Sequence, residues 1–391
     1  MSSSIDRHLT GLAARLAATL AEKGALLDPA WAAALTAVPR HRFVPRYLEQ
    51  RPDGHWRTVD GADPATRQAW LDAVYSDRPL VTALHTLDDG QQVPASSSSQ
   101  PGLMIRMLEV LDLRDGHRVL EVGTGTGYNA GLLCHRLGAD HVASIDIEPD
   151  LVATAATRLA KFGFAPRLAV TDGTGGLPEH GPYDRIIATC SVDHIPPAWL
   201  EQLTPDGRVL ADVKITGAAG NLIDLRRTPD GAEGRFLPRW AGFMPLRTPT
   251  PPPPRAPRRP WVVERTTALP VAQPWMDDLI VWFLAALHLP PGITTGLRLD
   301  PATHAPAATT LQTTDGSWTE ITLTAGTDGL RTVTGSAPDL WAAVENAERL
   351  WHDLGEPGWD RLGMTVTATD QRVWIDTPTR PLGHLHPTRA A

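Results

Sequence analysis

Only two cysteines, Cys134 and Cys190, occur in 391 residues, each within an apolar segment. That excludes a disulfide framework or a cysteine-based zinc cluster and reads both as small buried hydrophobes. Lysine is nearly absent: Lys23, Lys161 and Lys214 stand against many arginines, and the formal net charge is −8. An acidic chain of this kind is not built to neutralise a phosphate backbone, so no nucleic-acid partner is expected. No apolar run approaches the roughly 20 residues of a bilayer span. The opening Ser2-Ser3-Ser4-Ile5-Asp6-Arg7 lacks the charged-then-apolar pattern of a secretory signal. The expectation is a cytoplasmic enzyme with no membrane partner. The histidines show no metal-ligand spacing, so no metal is expected.

What is present organises the chain into segments. Residues 5–37 carry Leu9, Leu12, Leu16 and Leu20, then Trp31, Leu35 and Val38, at helical spacing, and read as two helices. Turn formers run through 39–101, which reads as a connecting segment. From Leu103 a helix is followed by alternating strands and helices, with strands near 118–122, 142–146, 167–171, 184–189 and 207–213. That alternation specifies a doubly wound, mostly parallel α/β sheet. A proline-rich stretch at 248–260 reads as a semi-rigid linker. Beyond it, residues 261–391 hold eight tryptophans and a mixture of helices (276–287, 338–353) and strands (318–324, 362–376), an α+β texture. Four parts follow: 1–101, an N-terminal helical and cleft segment; 102–247, the core; 248–260, the linker; and 261–391, a smaller C-terminal domain.

The chemistry is concentrated in Leu120-Glu121-Val122-Gly123-Thr124-Gly125-Thr126-Gly127. A strand, a glycine turn and a helix start in succession let backbone N–H groups come close to a small-molecule ligand. The spacing is neither that of a dinucleotide fingerprint nor that of a phosphate loop. The next strand closes on Asp146, near the interval at which a carboxylate accepts hydrogen bonds from a ribose. This pairing resembles the cofactor motif of S-adenosylmethionine-dependent methyltransferases.

Further segments narrow the resemblance. Val38-Pro39-Arg40-His41-Arg42-Phe43-Val44-Pro45, Ala73-Val74-Tyr75-Ser76-Asp77-Arg78-Pro79-Leu80, Ser99-Gln100-Pro101, Thr171-Asp172-Gly173, Leu203-Thr204-Pro205-Asp206-Gly207-Arg208 and Phe243-Met244-Pro245-Leu246 are similar, in order, to landmarks of the protein-L-isoaspartate O-methyltransferase family. The resemblance implies a Rossmann-like methyltransferase core, S-adenosyl-L-methionine as cofactor with S-adenosyl-L-homocysteine as product, and a peptide or protein substrate containing aspartate or isoaspartate. It implies Ser99 as the catalytic serine that donates to the substrate carboxylate. Glu121, Gly123, Thr124, Gly125, Gly127, Asp146, Ile147, Asp172 and Gly173 would hold the cofactor, and Ser98, Gln100 and His194 would border the substrate. Ser96 to Ser98 otherwise read as a polar loop, and His194 reads equally as a polar residue at a strand end.

Three departures fall on segments that border the cleft in this family. About thirty residues separate Phe43 from Tyr75, the approach to Ser99 reads Gln92-Val93-Pro94-Ala95-Ser96-Ser97-Ser98, and Thr189-Cys190-Ser191-Val192-Asp193-His194 replaces small residues. The long tail resembles methyltransferases associated with ATP-grasp or lanthipeptide maturation. That likeness implies carboxyl methylation of a ribosomally made precursor peptide, leading to aspartimide. The alternatives are generic isoaspartate repair and, in another class, a non-catalytic module that keeps the methyltransferase fold.

Overall fold

The structure, a computed structural model, describes residues 2–87, 90–249, 255–268 and 273–385. They form two compact units: 1–190, 198–210 and 244–249 in the first, and 191–197, 211–243 and 250–391 in the second. Part of the proline-rich stretch, 250–254, lies outside the described residues.

The first unit opens with two helices, α1 (Ser2–Glu22) and α2 (Pro29–Ala37). The Asp28 side chain caps α2 by accepting from the Ala30 N–H. The segment read as turns is instead a folded antiparallel sheet. It comprises β1 (Arg46–Gln50), β2 (Trp56–Asp60), helix α3 (Arg67–Val74), β3 (Leu80–Thr86) and β4 (Gln92–Ser98), with strand order β2-β1-β3-β4. Its core is Val44, Tyr47, Val59, Trp70, Val74 and Leu80, gathered from separate short elements. Strands of five to seven residues with mixed faces leave little periodicity to read, which is why they escape the sequence pattern. Trp70 ties the added stretch to its surroundings, its indole N–H donating to the Val44 carbonyl at 2.8 Å.

Then come α4 (Pro101–Val110), β5 (Val119–Val122), α5 (Tyr128–Leu137), β6 (Val142–Asp146), α6 (Pro149–Ala160), β7 (Arg167–Val170), β8 (Tyr183–Val192), α7 (Pro197–Glu201) and β9 (Leu203–Thr216). Strand β5 is parallel to β6 and to β8, and β6 is parallel to β7. All four residues of β5 are buried, as expected of a strand covered on both faces. The sheet order β9-β8-β5-β6-β7 places the switch in winding direction at β5. Ligands of open α/β sheets bind outside the carboxyl ends of the strands at such a switch.

The second unit holds β10 (Ala219–Thr228), β11 (Gly231–Phe236), β12 (Val263–Thr267), α8 (Pro274–Asp277), α9 (Leu279–Ala286), β13 (Thr294–Leu299), β14 (Pro306–Gln312), β15 (Trp318–Thr322), β16 (Arg331–Gly335), α10 (Asp339–Asp353), β17 (Leu362–Thr367), β18 (Gln371–Ile375) and β19 (Pro381–His384). One antiparallel sheet has the order β12-β16-β15-β14-β13, and another run reads β19-β18-β17-β11-β10. Residues 211–243, placed with the core on sequence, cluster with this unit, because β11 pairs with β17 from Gly231↔Thr367 to Arg235↔Gly363. Phe236, Phe283 and Trp359 meet with ring centroids 5.2–5.6 Å apart. Trp282 and Trp341 are fully buried, whereas Trp261 is 52% exposed. Among the described residues no helix is long and apolar enough to cross a membrane.

Candidate active site

A cleft with about 840 Å3 of unfilled space opens in the first unit at the carboxyl end of β5. One wall is the glycine turn between β5 and α5. Gly123, Gly125 and Gly127 all have positive φ (101°, 50° and 82°), a region that side chains with a Cβ avoid. A Cβ on Gly123 would stand 2.6 Å from Thr189 Oγ1, and one on Gly127 would stand 2.9 Å from Ala155 Cβ. The turn therefore cannot carry larger residues at those two positions without moving β8 or α6. Thr189 holds it from the other side, donating to the Gly123 carbonyl at 2.8 Å.

Beneath the turn sits a buried polar network. Glu121, 1% exposed, accepts from Asn129 Nδ2 at 2.7 Å and from Ser144 Oγ at 2.5 Å, and Ser144 Oγ meets Thr124 Oγ1 at 2.7 Å. Burial pushes the Glu121 carboxyl up to about 7, against the pull of those two hydrogen bonds. Asp146 ends β6 and is already engaged: Oδ2 accepts from Gly125 N–H (2.9 Å) and Oδ1 from Glu148 N–H (3.1 Å). Each carboxylate oxygen can accept more than one hydrogen bond, so capacity for a diol remains.

The serine run is not a loop. Residues up to Ser98 lie in β4, paired with β3 through Val81↔Ser97 and Leu80↔Ser98. Ser96 and Ser98 are buried because their hydroxyls are satisfied, Ser98 Oγ by Arg40 Nε (3.1 Å) and Ser96 Oγ by Thr82 Oγ1 (3.4 Å). Residues 95–99 form the wall opposite the glycines, so Ser98 and Ser99 both line the cleft.

Glu121, Gly123, Thr124, Gly125, Asp146, Ile147 and Gly173 all line the same space. Gly127 instead starts α5 behind the wall, as its N-cap. Three other residues are not brought to the cleft. Asp172 turns its Oδ1 to the Thr174 N–H at 2.9 Å and caps a short 3-10 turn. Gln100 is the residue before α4 and is absent from the cleft wall. His194 Nδ1 lies 2.5 Å from Asp193 Oδ1, among residues 191–197 of the second unit.

The structure also supplies residues that the sequence reading does not count. Asn129 lines the cleft, and its buried Oδ1 has no hydrogen-bond partner. Met244, Pro245, Leu246 and Arg247 form part of the lining, Arg247 paired with Glu148. The landmark Phe243-Met244-Pro245-Leu246 was the available signal for that strap. Arg40, completely buried, lies behind β4. Among the described residues no cluster of histidine, cysteine or acidic side chains could hold a metal.

Comparison with known proteins agrees with this geometry. The family model described as protein-L-isoaspartate(D-aspartate) O-methyltransferase matches residues 55–233. A protein-L-isoaspartate O-methyltransferase of Methanopyrus kandleri is 33% identical over 235 residues, 59% of this chain and 89% of that protein. One of Gloeobacter violaceus is 33% identical over 216 residues, 55% of this chain and 88% of the relative. One of Polaromonas is 34% identical over 187 residues, 48% of this chain and 65% of the relative. A solved structure named as a protein-L-isoaspartate O-methyltransferase aligns over 93% of this chain and 99% of its own, with TM-score 0.53 and 21% identity.

Proposed function

This chain belongs to the protein-L-isoaspartate O-methyltransferase family, whose members are S-adenosylmethionine-dependent, and from that premise we propose that it methylates an isoaspartyl or aspartyl carboxylate of a polypeptide. The observation that carries the reading is that a cofactor wall and the serine wall face one cleft. The residues present fit the cofactor. Gly125 lines the cleft without a side chain, with only Ser97 O (3.6 Å) and Ser96 Oγ (3.7 Å) within 4 Å of where its Cβ would stand, Asp146 keeps acceptor capacity, and the orphaned Asn129 Oδ1 offers an acceptor to an ammonium or hydroxyl donor. S-adenosylmethionine, when bound, supplies an electrophilic methyl group.

The protein's own part is orientation and exclusion of water. The substrate carboxylate, with a reference pKa near 3.9, is already ionised at neutral pH, so no general base is needed. Ser99 can donate its hydroxyl hydrogen to one carboxylate oxygen and leave the other to react. Holding the reacting atoms close and aligned removes most of the entropic part of the barrier. Met244, Pro245 and Leu246 bring apolar surface to the cleft and favour a desolvated carboxylate. The methyl ester formed loses methanol more readily than a carboxylate loses oxide. Attack by the following backbone nitrogen then closes an aspartimide ring.

Two substrate ranges are compatible with that step. The narrower, a dedicated ribosomally made precursor peptide recognised through residues 261–391, is supported by the serine strand and by the added residues between Phe43 and Tyr75. The broader, isoaspartate repair, is supported by the relatives' names, and a solved protein-L-isoaspartate O-methyltransferase shares the fold over 93% of the chain. That coverage includes most of the tail, so the tail alone does not single out a dedicated substrate. Methyl transfer to unrelated isoaspartyl peptides, each beside its normal-aspartate control, tests both. Comparable rates on all isoaspartyl sequences would remove the dedicated-substrate reading, and no transfer to any would remove repair.

A further inference from the structure

Arg40 is 0% exposed, and its partners are carbonyls and one hydroxyl rather than a carboxylate. Nε donates to Ser98 Oγ at 3.1 Å. Nη1 reaches the carbonyls of Val74 and Ser76, both at 3.3 Å. Nη2 reaches those of Arg78 (3.1 Å), Ser98 (3.0 Å) and Ser99 (3.0 Å). A guanidinium has five N–H donors in a rigid fork, and here all of them are spent on main chain and one serine. Burial holds the group down at about 10, which still leaves it charged at neutral pH. A buried cation is costly unless its donors are met. The six acceptors meet that cost, and in turn the cation dictates where they point.

Resting on the methyl-transfer reading, we infer that Arg40 is a positioning residue for the reaction, fixing the two peptide planes that present Ser99 to the cleft. In a planar trans peptide the C=O of one residue and the N–H of the next point in opposite directions. With the carbonyls of Ser98 and Ser99 both drawn to the guanidinium, the N–H groups of Ser99 and Gln100 point away from it. The rotation of the chain at Ser99 is thereby set, and with it the direction of the Ser99 Cα–Cβ bond on the cleft wall. The same fork holds the turn 74–78, whose Asp77 accepts from the Gly102 N–H (2.7 Å) at the start of α4. One side chain thus locks both ends of the segment that carries Ser99. The sequence shows Arg40 only as a landmark arginine with no role attached.

Arg40→Lys keeps the charge but cannot span six acceptors, and it provides the test. S-adenosylhomocysteine affinity, measured by calorimetry, should stay within about twofold, because none of Arg40's partners belongs to the glycine turn or Asp146. Turnover of an isoaspartyl peptide should fall by about 100-fold at saturating cofactor, the scale of a misplacement near 1 Å. Amide hydrogen exchange over 97–100 should quicken while β5 and β6 stay protected. In Arg40→Ala, added methylguanidinium should restore part of the lost turnover. Unchanged turnover in both variants, or cofactor affinity lost in step with turnover, would overturn the inference. A wild-type protein that methylates no peptide would remove the methyl-transfer reading instead. Exchange over 97–100 would still test Arg40, since unaltered exchange in Arg40→Lys defeats its positioning role.

Discussion

Asp146 and Glu121 are two carboxylates beside one turn, and their surroundings give them different tasks. Asp146 sits at a strand end and accepts two backbone N–H bonds, so it shapes the turn while lining the cleft. Asp146→Ala should weaken S-adenosylhomocysteine binding by about 1.5–3 kcal/mol, the value of a hydrogen bond to a charged group. Calorimetric titration checks this, and an unchanged dissociation constant would remove Asp146 from the site. Glu121 is buried with its carboxyl raised to about 7 from an ordinary 4.5. The sign follows from linkage: the neutral form is favoured in the fold, so stability is full below about pH 4.5 and declines as pH rises through about 7. A positive ligand in the cleft favours the ionised form. Affinity for S-adenosylmethionine, relative to the neutral-sulfur product S-adenosylhomocysteine, should therefore rise between pH 6 and 8. Glu121→Gln should flatten that ratio, and a ratio already flat in the wild type would show that Glu121 does not feel the sulfonium.

At the scale of elements, helix α4 has no side-chain cap from its own N-cap residue, Gln100. The cap comes from Asp77, 25 positions earlier, through the Gly102 N–H. Gly102 must be small there, since a Cβ would stand 2.8 Å from the Asp77 carboxylate. Asp77→Ala should cost about 1 kcal/mol, as the loss of a helix cap typically does. A lowered urea midpoint with an unchanged slope would register it, and an unaltered midpoint would show that water replaces the cap. Strand β4 ends where α4 begins, so the cap and the Arg40 fork act on the two sides of Ser99. The strap 244–247 is tied by Arg247 to Glu148, whose own N–H is held by Asp146. Half-exposed pairs of this kind contribute little to stability.

At the scale of the molecule, the boundary at the proline-rich stretch is not where the units part. A chain ending at Pro249 keeps β10 and β11 but loses β17, against which β11 pairs over five residues. It also uncovers Phe236, now 1% exposed, by removing Phe283 and Trp359. An unpaired edge beside a bared aromatic surface is prone to association. The truncated protein should therefore aggregate or elute as large species in size-exclusion chromatography. A monodisperse truncation melting at the full-length temperature would show that residues 211–243 fold without the tail.

Local pattern determined the α/β core: the burial of β5, the turn after it and the acidic end of β6 are written in contiguous residues, because hydrophobic runs and glycine act at short range. Gly123, Thr124, Gly125 and Asp146 stand out in the sequence for that reason and line one cleft, whereas Ser99 stood out only through the family resemblance. Only the tertiary structure decided the rest. It made a strand of the serine run, because Arg40 and Thr82 satisfy hydroxyls that in isolation look like a solvated loop. It turned Asp172 to a local cap and His194 to Asp193, and it brought Asn129 and Arg247 to the cleft. It joined 211–243 to the tail through β11 and β17, which lie more than a hundred residues apart. Pairings at that distance depend on which partner satisfies a buried group first, and no local spacing records that choice.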